Sequence, residues 1–200
     1  MALTIHGSAR SRTLRVLWMA EELGLDYAHN PIAFDDPALK SPAFLRLNPA
    51  GAIPTSEDDG FALAESLAIN LYLAKKHSLG GLSPATLEGE AQAWRWSLWA
   101  QGQLEPWVMR DALLADLRAA AAPHVAPVIA AALATLERAP ADRAWLLGGA
   151  FTVADLNVAA VLSPSRSSRL DLAPYPRVAG WLARCYGRPA AVAARARYAG

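Results

Sequence analysis

Residues 48–66, NPAGAIPTSEDDGFALAES, decide the fold, because they place constrained prolines, an acidic turn and a helix start in one run. Pro49 and Pro54 lack a backbone donor and push the residue before each into an extended conformation, which excludes a helix between them. The turn residues 57–60 then lead into a short alternating segment, 61–64. We therefore predict a β-hairpin here.

The run 48–66 ends at the predicted start of a helix. Ser66 precedes the apolar stretch 67–73, so its hydroxyl is predicted to cap the helix, and the first helical amides attract carboxylates. A proline before a strand or a serine before a helix is by itself usually only structural. Their ordered combination predicts a pocket for a small anionic peptide.

Outside this run, hydrophobic periodicity predicts a β-α-β-α-β-β-α order for the first part of the chain. The predicted elements before residue 48 are a strand at 3–6, a polar loop at 7–12 and the helix after it, a strand at 27–34 and a short helix at 41–47. This order predicts a mixed sheet with helices on both faces.

A break at 79–84, LGGLSP, separates this part from an alanine- and tryptophan-rich remainder with helical spacing throughout. We predict domains at 1–78 and 87–200 joined by a linker at 79–86, the second domain all-helical. Its tryptophans are predicted to pack mainly in the core, at Trp94, Trp96, Trp99 and Trp107. The alternative is that Trp107 and Arg110 line the apolar cosubstrate side of a cleft between the domains.

The Ile-Pro step leading into a hairpin and then Glu65-Ser66 resembles the glutathione site of the cytosolic glutathione transferase family. Thr152 and Asp155 similarly resemble the capping box of that family's helical domain. The resemblance implies a thioredoxin-like α/β N-terminal domain plus an all-α C-terminal domain. It points to bacterial members of the serine or cysteine type rather than the tyrosine type.

In that family the proline matching Pro54 is cis, and the residue matching Ile53 pairs its backbone with the cysteine of glutathione. The resemblance implies that Ser66 and the helix amides take the γ-glutamyl carboxylate, and that Glu65 takes the ammonium. Ala52 stands where many members have a lysine or another polar residue. Lys40 is the candidate for the glycine carboxylate, with a solvated surface lysine as the alternative.

Activation of glutathione requires a group that stabilises its thiolate, because a free thiol has a pKa of about 8.5. The loop before the first helix has no Tyr or Cys, and its hydroxyls are Ser8, Ser11 and Thr13. Ser11 matches the place of the active residue in serine- and cysteine-type members, with Ser8 as runner-up. Ser11 is alternatively the N-cap of the helix. Arg12 is a candidate for anion stabilisation or for the surface.

The resemblance implies transfer of glutathione to a hydrophobic electrophile, as in detoxification, with isomerisation or peroxide reduction at the same site as further reactions. The alternative is a non-catalytic glutathione-transferase-like binding or interaction protein. Ala52, Ser56 in place of a usual apolar strand residue, and the lack of a Tyr or Cys activator motivate that alternative. A homodimer is the family expectation.

Composition excludes several other classes. The net charge is +1, with 19 basic and 18 acidic residues, so no nucleic-acid partner is expected. The single Cys185 excludes an internal disulfide framework. Arginines interrupt the N-terminal region, and no stretch is long and apolar enough for a bilayer, so we expect no membrane association and a cytoplasmic location. The four histidines show no metal-binding spacing, and no metal is expected.

Overall fold

The computed structural model describes residues 3–113, 118–139 and 142–197, with side chains described except at 110–113 and 118–124. The chain divides into two compact units. One comprises Met1–Leu79 together with Arg188–Gly200, and the other comprises Gly80–Gly187.

The first unit contains a four-stranded sheet in the order β2-β1-β3-β4. Its strands are β1 (Leu3–His6), β2 (Tyr27–Asn30), β3 (Thr55–Asp58) and β4 (Phe61–Ala64). Strand β1 runs parallel to β2 and antiparallel to β3, and β3 pairs antiparallel with β4. The predicted mixed sheet and hairpin are confirmed. Strand β2 ends earlier than the predicted residue 34, because Pro31 cannot donate to a strand ladder.

Helices α1 (Thr13–Glu22) and α2 (Pro42–Leu47) connect these strands, and α3 (Ser66–His77) follows β4. A 3-10 turn at Pro37–Lys40 precedes α2. Ser41 caps α2, since its Oγ accepts from the Phe44 N–H at 3.2 Å. The hairpin turn uses Asp59 and Gly60, both with positive φ, which is the backbone a two-residue hairpin connection requires.

The described secondary structure of the second unit is helical apart from isolated β-bridge residues, such as the pair Trp145 and Gly148, and this confirms the predicted helical domain. It contains α4 (Leu87–Trp99), a π-helical turn (Ala100–Leu104), α5 (Glu105–Leu113), α6 (Arg118–Arg138), α7 (Val153–Ser167) and α8 (Pro176–Tyr186). Every residue of α7 from Val153 to Leu162 is buried, so this helix forms the centre of the unit. Of the tryptophans, Trp96 is buried as predicted, whereas Trp94 is 46% exposed and the prediction of a core position is wrong for it.

The predicted capping box at Thr152 and Asp155 is present at the start of α7. The fully buried Asp155 carboxylate accepts from the Thr152 N–H at 3.0 Å, the Leu146 N–H at 2.8 Å and Trp181 Nε1 at 2.9 Å. Burial raises the pKa of this carboxyl, and the hydrogen bonds oppose that rise. Asp155 thus joins α7, α8 and the turn before α7.

The last helix, α9 (Pro189–Ala196), packs on α1 of the first unit. Arg188 pairs with Glu22 at 2.7 Å, and Arg197 pairs with Glu21 at 2.9 Å. The predicted helical domain at 87–200 included this segment, whereas the structure groups it with the first unit, where α9 packs on α1 and buries Ala191 and Ala194.

Candidate active site

The Ile53–Pro54 peptide bond is cis, as the family resemblance implies. Pro54 is buried and Ile53 is half-buried immediately before β3. Asn48, which is buried, braces this segment, because its Nδ2 donates to the Ala52 carbonyl at 2.9 Å and to Thr55 Oγ1 at 3.1 Å. The backbone of residue 53 is therefore held from both sides.

The Lys40 side chain stabilises the turn that precedes the Ile53–Pro54 peptide bond. Its ammonium donates to the Ala50 carbonyl at 3.0 Å and to the Gly51 carbonyl at 2.9 Å. Gly51 has φ +57°, and a Cβ there would lie 2.7 Å from both the Leu39 carbonyl and Lys40 Nζ. The exposed lysine is thus anchored to the turn, and its third N–H remains for another acceptor.

Helix α3 begins one residue earlier than the sequence predicts, with Glu65 and not Ser66 at the N-cap position. Glu65 is the N-cap residue, with φ +69° and ψ 107°, and Ser66 is the first helical residue. The prediction that Ser66 caps α3 is wrong, because the chain turns from β4 into the helix at Glu65. Backbone in this sparsely populated region costs about 1–3 kcal/mol and concentrates at functional sites.

Arg15 is the residue that sequence reasoning missed. It is 4% exposed on α1, and its Nη1 donates to Ser66 Oγ at 3.4 Å. A buried cation requires partners, so an arginine next to Val16 and Leu17 was the signal that pointed to this position. The guanidinium places positive charge beside the hydroxyl predicted to bind the γ-glutamyl carboxylate.

The loop between β1 and α1 holds the candidate activators. The Ser11 hydroxyl donates to the Ser8 carbonyl at 2.7 Å and accepts from the Thr13 N–H at 3.1 Å. The N-cap position of α1 belongs to the exposed Arg12, one residue later than the alternative placed it, but the Arg12 side chain makes no capping hydrogen bond and Ser11 Oγ caps the Thr13 N–H. Ser11 instead closes a turn one residue before that cap.

Ser8 is tied into the same loop through different groups. Its N–H donates to the Ile32 carbonyl at 2.8 Å, and its Oγ accepts from the Arg10 N–H at 3.2 Å. His29 Nε2 lies 2.9 Å from the Gly7 carbonyl, which links the loop to β2. Both serines are half-buried and therefore reachable by a small ligand.

Sheet register brings these segments together. His6 at the end of β1 pairs with Thr55 at the start of β3, so the loop after β1 lies beside Pro54. A Cβ on Gly7 would lie 2.9 Å from Ile53 Cβ, which shows that loop and cis segment touch. The activator loop and the cis peptide therefore share one end of the sheet.

The described residues contain neither a metal-binding cluster nor a membrane span. No group of three or more His, Cys, Asp or Glu side chains there is arranged to hold a metal ion. None of the described helices combines the length and apolar character needed to cross a bilayer.

Two models of protein-family domains match this chain. Residues 10–76 match the family model for the glutathione S-transferase N-terminal domain, and residues 111–184 match the model for the C-terminal domain. The chain belongs to the glutathione S-transferase family. The N-terminal match contains the cis peptide bond, Ser11 and the start of α3.

Individual glutathione S-transferases agree with this assignment along almost the whole chain. Glutathione S-transferase 3 from Zea mays is 33% identical over 207 residues, covering 94% of this chain and 90% of that protein. A glutathione S-transferase from Pseudomonas fluorescens superimposes with a TM-score of 0.81 at 25% identity, covering 94% of this chain and 96% of that one. Glutathione S-transferase-I bound with lactoylglutathione superimposes with a TM-score of 0.83 at 26% identity, covering 98% and 99%.

Proposed function

We propose that this protein is a glutathione S-transferase that binds glutathione, stabilises its thiolate and transfers it to a hydrophobic electrophile. The observation that carries the proposal is the contact of the Ile53–Pro54 segment with the serine-containing loop at one end of the sheet. The structure of a relative bound with lactoylglutathione supports the ligand class.

In this proposal the peptide backbone of glutathione pairs with the backbone of Ile53 in the manner of a short added strand. The γ-glutamyl carboxylate accepts from the Ser66 hydroxyl and the first amides of α3, with the Arg15 guanidinium behind Ser66. The exposed side chain of Glu65 takes the ammonium. The third N–H of Lys40 takes the glycine carboxylate.

Ser11 is our proposed activator, and Ser8 is the runner-up. Lowering the thiol pKa by about two pH units requires about 2.7 kcal/mol of preferential stabilisation of the thiolate. A hydroxyl hydrogen bond to the anion and the N-terminus of α1 supply energies of that order. Arg12, exposed at the same helix start, adds a positive charge.

The proposed reaction begins with the formation of the glutathione thiolate. The S–H bond of glutathione breaks, its proton passes to water and the electron pair remains on sulfur. The thiolate then attacks an electrophilic carbon, and the leaving group departs with the bonding pair. Because glutathione is the thiol buffer of the cytosol, we place the reaction in the cytoplasm.

We further propose that the active form is a homodimer. Leu87, Trp94 and Leu98 on α4 are 71%, 46% and 68% exposed, and their spacing puts them on one face of the helix. A second copy of this chain would cover such an apolar stripe. Sedimentation of Leu98→Glu should show monomers, whereas Gln92→Glu on another face should leave the dimer intact. A monomeric wild type would contradict this part.

Turnover tests the catalytic claim. The wild type should conjugate glutathione to an aryl halide, and Ser11→Ala should lose most of that rate near neutral pH while retaining glutathione affinity. A glutathione-affinity column separates the outcomes: retention without turnover on a broad electrophile panel favours the non-catalytic alternative, and no retention contradicts the glutathione site itself.

A further inference from the structure

A cavity lies in the second unit, apart from the candidate active site. It has a volume of about 390 Å³ and is bounded by α4, the residue after α6 and the segment that leads into α7. Its lining residues lie between positions 88 and 147, so it shares none with the loop 7–13 or the segment 48–66. Sites for small organic molecules typically have volumes of about 300–1,000 Å³. The cavity is therefore large enough for a ligand of one or two rings.

The wall of the cavity combines apolar surface with a fixed backbone. Trp96 and Leu146 are each 3% exposed, and the half-buried Leu147 extends the apolar surface beside them. The Leu146 N–H donates to the buried Asp155 carboxylate at 2.8 Å. This contact holds the wall in place before a ligand arrives, which lowers the free-energy cost of binding.

Two guanidinium groups and one carboxylate give the lining a net charge of +1. The cations are Arg95 and Arg143, and the carboxylate belongs to Glu88. Among the residues that the structure describes, neither arginine forms an ion pair with a carboxylate. Positive charge that no protein carboxylate neutralises favours an anionic ligand.

The Arg95 side chain is held in place by neutral groups. Its Nε donates to Gln92 Oε1 at 2.9 Å, and its guanidinium carbon lies 4.2 Å from the centre of the Trp96 ring. A cation over an aromatic face is attracted to that face, so the indole restricts the guanidinium. Both terminal nitrogens still present N–H groups, whose fork matches the two oxygens of a carboxylate.

We propose that this cavity binds a small aromatic monocarboxylate at a site separate from the glutathione site. The carboxylate of the ligand pairs with Arg95 and Arg143, and its ring packs on Trp96 and Leu146. A single negative charge complements the net charge of the lining, whereas a second would meet the Glu88 carboxylate. The site does not depend on the proposed function, because it uses none of the residues assigned to glutathione.

Isothermal titration calorimetry of the full chain with 2-naphthoate tests the proposal. The wild type should bind 2-naphthoate, and the uncharged 2-naphthamide should bind about tenfold more weakly. Equal affinity for the two compounds overturns the proposal, since the cavity would then recognise only the ring. Saturating glutathione should leave the Kd for 2-naphthoate unchanged. A Kd that rises with glutathione also overturns it, because the two ligands would then share a site.

Replacement of the arginines tests the charge recognition. The Kd for 2-naphthoate should rise about tenfold in Arg143→Gln and in Arg95→Gln, both at exposed positions where the fold should persist. Arg169→Gln removes the same charge at an exposed position beyond the far end of α7, and this matched control should bind like the wild type. Wild-type affinity in both Arg143→Gln and Arg95→Gln overturns the proposal.

Glu88→Gln should change the affinity in the opposite direction. Loss of this carboxylate removes repulsion from the charge of the ligand, so the Kd for 2-naphthoate should fall about threefold. A merely structural role of Glu88 would raise the Kd instead, and such a rise overturns the proposal. Should the arginine variants fail to fold, Gln92→Glu takes their place, because it adds a carboxylate beside Arg95 and should raise the Kd.

Failure of this site is distinguishable from failure of the proposed function. If 2-naphthoate does not bind the wild type, the cavity inference falls, whatever the protein does with glutathione. If 2-naphthoate binds through Arg95 and Arg143 while glutathione neither binds nor reacts, the cavity inference stands and the proposed function falls.

Discussion

The segment 48–66 and the loop 7–13 meet at one end of the sheet, yet they act through different kinds of group. The first offers mainly backbone groups fixed by a cis bond and a helix start, whereas the second offers side-chain hydroxyls that can rotate. Changes to the first region should therefore alter how tightly glutathione is held. Changes to the second should alter the thiol pKa at nearly constant affinity.

A change far from both regions should affect neither property, even when it costs the most stability. Asp155→Ala leaves the N–H groups of Leu146 and Thr152 and the Trp181 indole without their buried acceptor. We expect a loss of about 3 kcal/mol in the free energy of unfolding, measured by urea denaturation. Asp142→Ala, at an exposed position, is the control. Unchanged stability of Asp155→Ala would remove the capping box from the account.

Arg15→Met should show the largest effect on binding. The variant keeps an apolar stem in the buried site and removes the cation beside Ser66, so the fold should persist. We expect the Kd for glutathione to rise about 30-fold by calorimetry, while the thiol pKa of the bound ligand stays near the wild-type value. Arg46→Met on the exposed face of α2 should have no effect. A shifted thiol pKa at unchanged Kd would reverse the division of roles.

Glu65→Gln should weaken binding less. The substitution keeps the size of the exposed side chain and removes the charge proposed to face the ligand ammonium, so we expect the Kd to rise about tenfold. Glu88→Gln on α4 serves as the matched control. Equal affinity of the two variants would take Glu65 out of the site.

The smallest expected effect is a change in the pH dependence of stability when His6, at the end of β1, is replaced. Burial lowers the pKa of His6 below its ordinary value of 6.5, and the nearby Glu57 carboxylate opposes that shift. The folded state therefore favours the neutral form of His6. The contribution of His6 to the free energy of unfolding is complete above pH 6.5 and is lost as pH falls toward the lowered folded pKa. His6→Gln should show a flatter dependence of urea midpoint on pH in that range. An identical pH dependence in both proteins would contradict the assignment.

Much of the fold was accessible from the sequence because it depends on local signals. Pro49, Pro54 and the 57–60 turn forced the hairpin, and the Thr152–Asp155 spacing marked the start of α7. The one-residue error at Ser66 arose because positive φ at Glu65 has no signature in a glutamate. The return of α9 to α1 depends on contacts between residues far apart in sequence, including the ion pair of Arg188 with Glu22.

The site was harder to predict than the fold. The sequence shows that Ser8, Ser11 and Thr13 are hydroxyl residues of one short segment. It does not show that the Ser11 hydroxyl donates to the Ser8 carbonyl and accepts from the Thr13 N–H, which depends on the folded loop. Arg15 has a local signal in its apolar neighbours Val16 and Leu17, but its partner Ser66 lies 51 positions away and cannot be read from that signal. Local sequence patterns therefore led to the proposed ligand, whereas the proposed activator depends on hydrogen-bond geometry that the sequence does not contain.

The thiol pKa of glutathione bound to the wild-type protein tests the central claim most directly. The thiolate absorbance is titrated at saturating glutathione, with Ser11→Ala and Ser8→Ala as the paired variants. We expect a pKa about two pH units below that of the free thiol in the wild type and in Ser8→Ala, and a value raised toward the free thiol in Ser11→Ala. A pKa near 8.5 for wild-type bound glutathione, about the value of a free thiol, would contradict it.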